Sequence, residues 1–156
     1  MSKQEILVKI LIKRQFTISF AESCTGGKMA ASIVDVADAS KVLNASVVTY
    51  SNEAKMRYLN VQQDTLERFG AVSEQTAREM AEGIAKANNA DIGVGITGIA
   101  GPGGGTDEKP VGTVCFGYCI QGITLTETMH FGDMGRNVVR EKSVSHVLDT
   151  LINKLN

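Results

Sequence analysis

Residues 91–131 read DIGVGITGIAGPGGGTDEKPVGTVCFGYCIQGITLTETMHF, and this stretch decides the fold. Residues 91–99 are apolar enough for a buried strand. After a glycine-rich loop, residues 112–120 and 123–131, split by Gln121-Gly122, have the turn chemistry of a β-hairpin. A hairpin is antiparallel, whereas strands separated by helices are usually parallel, so the sheet is expected to be mixed. Upstream, Ile6, Leu7, Ile10 and Leu11 share one helical face within 3–14, and residues 17–21 form a short strand. A helix follows Gly27 to about Val36. The β-branched run Val47-Val48-Thr49 marks a second strand over 42–50, and Ser51 or Asn52 caps the next helix. A short helix covers 62–69 and stops at Gly70. Ser73 opens a longer one with a buried stripe of Ala77, Met80, Ala81 and Ile84. The last helix has the cleanest period: Val144, Val147, Leu148, Leu151, Ile152 and Leu155. The expectation is an α/β protein, one three-layer α/β/α domain over 1–156 with a mixed sheet.

Composition narrows the function. A chain of 156 residues that is 43% hydrophobic buries a core, and no apolar run approaches the ~20 residues of a membrane span. The net charge of -1, with both signs interspersed, argues against a basic nucleic-acid footprint, and eight aromatic residues are few for base stacking. The amino terminus leads into an amphipathic pattern rather than a signal core, which points to the cytoplasm. Cys24, Cys115 and Cys119 are odd in number. Cys115 and Cys119, ~13 Å apart along one strand face, are too distant to bridge. His130 and His146 stand alone, so neither a metal nor a cofactor is expected.

Ten of the 16 glycines lie between Gly93 and Gly122, which invites a dinucleotide reading. Gly93-Val94-Gly95-Ile96-Thr97-Gly98 matches G-x-G-x-x-G, but it lies inside a strand and no helix follows it. Gly93 and Gly95 instead read as thin positions under closely packed backbone. The segment from Thr97 through Gly98 and Gly101 to Gly105, at a strand's carboxyl end, is either a ligand-binding wall or a plain connection.

Three polar motifs remain. Ser23 sits where a strand gives way to a helix, beside Gly26 and Gly27, as either a helix cap or an exposed nucleophile. No G-x-S-x-G elbow is present and no histidine shares its motif, so a base for Ser23 would be another group. Lys55 falls near the start of a helix that follows a buried strand. The helix field there, with burial, would lower its pKa and leave a neutral amine; the alternative is a surface lysine paired with Glu53. Tyr50, at the strand end, could share the proton relay. Arg136 and Arg140, spaced i, i+4 at a helix start, could both face one anion or form a solvated face.

Ala21-Glu22-Ser23-Cys24-Thr25-Gly26-Gly27, Thr49-Tyr50-Ser51-Asn52-Glu53-Ala54-Lys55, Gly70-Ala71-Val72-Ser73-Glu74, Thr97-Gly98-Ile99-Ala100-Gly101-Pro102 and Lys109-Pro110-Val111-Gly112-Thr113-Val114 together resemble the CinA carboxy-terminal domain family. Its members include stand-alone nicotinamide-nucleotide amidases of the PncC type. The resemblance spans nearly the whole chain in the same motif order. It implies hydrolysis of the carboxamide of nicotinamide mononucleotide to nicotinate mononucleotide and ammonia, with Ser23 as nucleophile, Lys55 as its base and Tyr50 nearby. Thr25, Gly26 and Gly27 become candidate substrate contacts, the two glycine amides as oxyanion donors. Thr97, Gly98, Gly101, Gly105, Arg136 and Arg140 become candidates for holding the ribose phosphate. The resemblance further suggests a homodimer and the stand-alone form. Two other readings stay open: a nucleotide-binding module without catalysis, and a Ser-Lys amidase acting on a different amide.

Overall fold

Local signals start three of the six α-helices. In the computed structural model, which describes residues 1–156, Ser2 and Glu5 form a reciprocal capping box on α1 (Lys3–Arg14). Ser51 caps α3 (Asn52–Leu59), and Ser73 caps α5 (Glu74–Asn88), each through its side-chain oxygen. The remaining helices are α2 (Lys28–Val34), α4 (Gln63–Phe69) and the long α6 (Arg136–Leu155). No helix is long and apolar enough to cross a membrane.

Five strands make one mixed sheet: β1 (Ile18–Glu22), β2 (Val47–Val48), β3 (Ile92–Gly98), β4 (Thr113–Ile120) and β5 (Ile123–His130). Their spatial order is β2-β1-β3-β4-β5; β1 runs parallel to β2 and β3, and the expected hairpin adds β4 and β5 antiparallel. The second strand is much shorter than 42–50. Phe20 N–H donates to Ser46 Oγ at 3.0 Å instead of to a backbone carbonyl, so the ladder is broken between the isolated Leu43 bridge and Val47. Likewise, α2 stops at Val34, short of the expected Val36.

The two faces of the sheet differ in side-chain size. Ile18, Phe20, Val94, Ile96, Phe116 and Tyr118 point into the larger core, under α1, α2 and α6. The opposite face carries Ala21 from β1, packed with Leu59, Leu66, Met80 and Ile84 under α3, α4 and α5. Gly93, Gly95 and Gly117 occupy that second face. A Cβ at Gly95 would lie 2.5 Å from Ala77 O, and one at Gly117 2.4 Å from the same atom. No side chain separates α5 from β3 and β4 there. Gly93 and Gly95 are thus thin positions as expected, and Gly117, first read only as part of the hairpin, joins them. Gly95→Ala is expected to cost about 1–3 kcal/mol or more by overpacking, because the obstacle is backbone; a urea unfolding midpoint checks it.

The chain passes from β1 to β2 through α2 on one face, and from β2 to β3 through α3–α5 on the other. Such a reversal opens a crevice at the carboxyl ends of the strands, where ligands of open α/β sheets bind. Ser23 follows β1 directly, Tyr50 lies just past β2, and Gly98 ends β3.

Candidate active site

Two backbone hydrogen bonds close the turn after β1. Ser23 N–H donates to Ile96 O and Gly26 N–H to Ser23 O, both at 3.0 Å. Lys55, on α3, is only 2% exposed. Its Nζ lies 3.1 Å from Ser23 Oγ and donates to Thr49 O at 2.8 Å. It forms no ion pair, with Glu53 or any other carboxylate. Burial lowers its pKa from the ordinary lysine value, since desolvation penalises the ammonium. In the neutral amine one N–H is held by the Thr49 carbonyl, which leaves the lone pair available to the Ser23 hydroxyl. The fold therefore brings together the two residues whose sequence positions are 32 apart.

These groups open into a pocket of about 270 Å³, lined on one side by Ser23, Cys24, Tyr50, Asn52 and Lys55. Ala71, Val72 and Thr97 contribute another stretch of its wall, and Gly98, Ile99, Ala100, Gly103, Gly104 and Arg136 complete the lining. Thr97 Oγ1 donates to Ala71 O at 2.8 Å, tying that wall to β3. Two larger grooves of about 720 Å³ lie between α5 and the hairpin and between α3 and α5; neither touches Ser23 or Lys55.

Several candidate residues are placed differently from expectation. Gly26 and Gly27 do not present free amides: the first serves Ser23 O and the second donates to Glu22 Oε1 at 3.1 Å. Thr25 is fully buried and does not line the pocket, and its carbonyl accepts from Arg140 Nη2 at 3.1 Å. Arg140 also donates to Cys24 O at 2.9 Å and Asn137 Oδ1 at 3.0 Å, so its guanidinium grips the serine turn rather than standing free for an anion. Gly101 and Gly105 do not line the pocket, and Cβ atoms added there would strike Val111. Arg136 does reach the pocket, donating to Gly101 O and to Tyr50 Oη, each at 2.7 Å. Tyr50 is 61% exposed, and its hydroxyl is bonded to Arg136 rather than to Lys55 or Ser23.

Three further residues contribute to the site. No oxygen accepts the Cys24 N–H, and Cys24 lines the pocket directly beside Ser23. Its thiol is a poor rival nucleophile, because burial pushes it up to about 12. Asn52, the first residue of α3, lines the pocket. Glu22, fully buried at the end of β1, holds the start of α2. An acidic residue in a buried strand was the available signal for it.

The site thus sets a buried lysine, in no ion pair, against a serine at the carboxyl edge of a mixed sheet. Comparison with known proteins gives the family. The CinA C-terminal domain model matches residues 1–155, and the chain belongs to that family. A CinA-like protein of Kosmotoga olearia is 52% identical over 148 residues, 95% of this chain and 36% of the relative. The chain spans 36–37% of the length of such curated relatives. Among solved structures, a competence-damaged protein (CinA) superfamily protein from Klebsiella pneumoniae is 38% identical with a TM-score of 0.95, covering 98% of this chain and 95% of that one. A competence or damage-inducible protein from Enterobacter asburiae is 42% identical, also at 0.95, covering 99% and 96%.

Proposed function

We propose that the chain hydrolyses the carboxamide of nicotinamide mononucleotide to nicotinate mononucleotide and ammonia, with Ser23 as nucleophile and Lys55 as its base. The observation that carries this reading is the 3.1 Å approach of a buried, unpaired Lys55 Nζ to Ser23 Oγ. A module that only binds nucleotide has no use for a desolvated lysine, whose burial costs stability. Neutral Lys55 takes the Ser23 proton as Oγ forms a bond to the amide carbon. The Cys24 N–H, free of any protein oxygen, faces the developing oxyanion; such a donor contributes roughly 3–4 kcal/mol. The C–N bond then breaks, and the lysinium returns its proton to the departing ammonia. Water attacks the acyl-serine, gives its proton to Lys55, and releases the carboxylate as Ser23 recovers its hydrogen.

The pocket suits a mononucleotide. Its 270 Å³ lies just below the roughly 300–1,000 Å³ usual for ligand pockets, so it takes the ring amide while the ribose phosphate stays at its mouth. Arg136 lines the pocket and gives two of its five N–H groups to Gly101 O and Tyr50 Oη, so three remain for the phosphate, and that contact holds the ring amide against Ser23. The test is ammonia release from nicotinamide mononucleotide, with free nicotinamide, asparagine and glutamine alongside. The nucleotide is expected to give one ammonia per nicotinate mononucleotide formed. Turnover of asparagine or glutamine alone would move the reading to another amide, and binding of the nucleotide without ammonia would remove catalysis from it.

A further inference from the structure

The serine turn leads into the amino end of α2, where backbone N–H groups lack partners within the helix and need acceptors. Here the acceptors come from within. Glu22 Oε1 accepts from Gly27 N–H at 3.1 Å and Met29 N–H at 2.9 Å, and Oε2 accepts from Ala30 N–H at 3.0 Å. The same residue's backbone belongs to β1, in register with Ile96 on one side and Val48 on the other. Its side chain thus fastens the far end of the turn, at α2, to the strand that carries the near end. Residues 23–27 are closed between two points of one amino acid.

Arg140 works on the other side of the turn. It takes the Cys24 and Thr25 carbonyls, while Ser23 O is taken by Gly26 N–H. Across a planar trans peptide the N–H points opposite to the C=O. Since Ser23 O is turned inward, the Cys24 N–H is turned outward, away from the turn's own bonds. The orientation of that amide depends on the turn keeping its shape, which in turn depends on the carboxylate at α2.

We propose that Glu22 is a positioning residue for the Ser-Lys reaction: its carboxylate, by holding the Gly27, Met29 and Ala30 amides, fixes Ser23 Oγ against Lys55 Nζ and aims the Cys24 N–H at the oxyanion. Glu22 does not line the pocket and touches no substrate. Its charge also occupies the helix end, which leaves the phosphate to the Arg136 side. The inference rests on the Ser-Lys reading of the site, so its test reads the serine directly as well as through turnover.

Glu22→Gln and Glu22→Ala are compared with the unaltered chain. Gln preserves volume but sets an amide N–H₂ against a backbone N–H donor; Ala removes both acceptor oxygens and leaves all three amides without a partner. A fluorophosphonate probe reports on Ser23, whose oxygen displaces fluoride at phosphorus, and mass spectrometry locates the adduct. Its endpoint counts folded sites, whereas its rate measures serine reactivity. The labelling rate and kcat for nicotinamide mononucleotide are expected to fall together, about tenfold in Gln and about a hundredfold in Ala, in line with the cost of ~1 Å misplacement. KM is expected to stay within about twofold, because no substrate contact is lost. A lower endpoint with unchanged rate and unchanged kcat per labelled site would reduce Glu22 to a purely structural cap and overturn the proposal. So would a raised KM at constant kcat. If Ala does not fold, Gln alone decides between these outcomes. If the unaltered chain labels at Ser23 but releases no ammonia, the substrate reading fails, and the labelling rates of the variants still judge Glu22.

Discussion

Ser23→Ala is expected to lower ammonia release from nicotinamide mononucleotide by about 10⁴-fold or more, since removal of a serine nucleophile elsewhere costs up to about 10⁶-fold. The size of the loss follows from the absence of a substitute. Cys24 is adjacent, but burial keeps its thiol protonated, and Thr25 is fully buried and outside the pocket lining. A water in the vacated space would meet Lys55 without the alignment that the turn gives Oγ, so hydrolysis would fall toward the slow direct route. Nucleotide affinity, measured by calorimetry, should change little, because the proposed phosphate contact at Arg136 and the Ala71–Val72 wall remain. Turnover that survived at more than a few per cent would assign the nucleophile to another group.

Lys55→Met is expected to reduce kcat by about 10²–10⁴-fold, the usual contribution of a positioned general base. It should do so without loss of stability. Methionine fills much of the same volume and has no charge to desolvate, so the thermal midpoint is expected to hold or rise. The sign of the pH effect is fixed by the direction of the shift. Lys55 titrates lower in the fold than in the unfolded chain, so between the two values the unfolded state binds more protons. Stability of the unaltered chain therefore increases with pH through that window and reaches its full value above the ordinary lysine pKa. The advantage of Met should be greatest below the folded-state pKa of Lys55 and shrink as the pH approaches 10.5, the ordinary lysine value. Urea unfolding of both proteins across this range tests it. In the unaltered chain, kcat/KM should rise with pH as Lys55 deprotonates, and the rise should be absent from whatever activity Met retains. A marked loss of stability in Met, or a full-rate Met enzyme, would contradict a neutral buried base.

The parts of the fold legible in the sequence are those fixed by neighbours along the chain. Ser51 and Ser73 announce their helices by capping chemistry, the α5 stripe has a helical period, and Gln121-Gly122 sets the hairpin turn. The short β2 was hidden because its interruption depends on Ser46 taking an amide from Phe20, a partner 26 residues away. The same limit applies to the site. Position at a strand–helix junction marks Ser23 and Lys55 as candidates but leaves a helix cap and a surface lysine as alternatives; the resemblance is what assigns them a joint role. The availability of the Gly26 and Gly27 amides was misread, since it is decided by the side chain of Glu22 and by a turn bond, neither of which leaves a periodic trace. Arg140 looked free beside Arg136 because a carbonyl acceptor has no signature in residue type.

The bare contact between α5 and the sheet has a consequence for how the pocket can vary. At Gly95 and Gly117 the helix backbone rests on the strands with nothing between them to resize. The Ala71–Val72 wall leads directly into α5 and is bonded to Thr97 on β3, so it inherits that fixed spacing. The pocket then resembles a vice with one cast jaw. Any adjustment of substrate range within this architecture is confined to the other jaw, the Tyr50–Asn52 segment and the loop from Ile99 to Gly104, where side chains can be exchanged without lifting a helix.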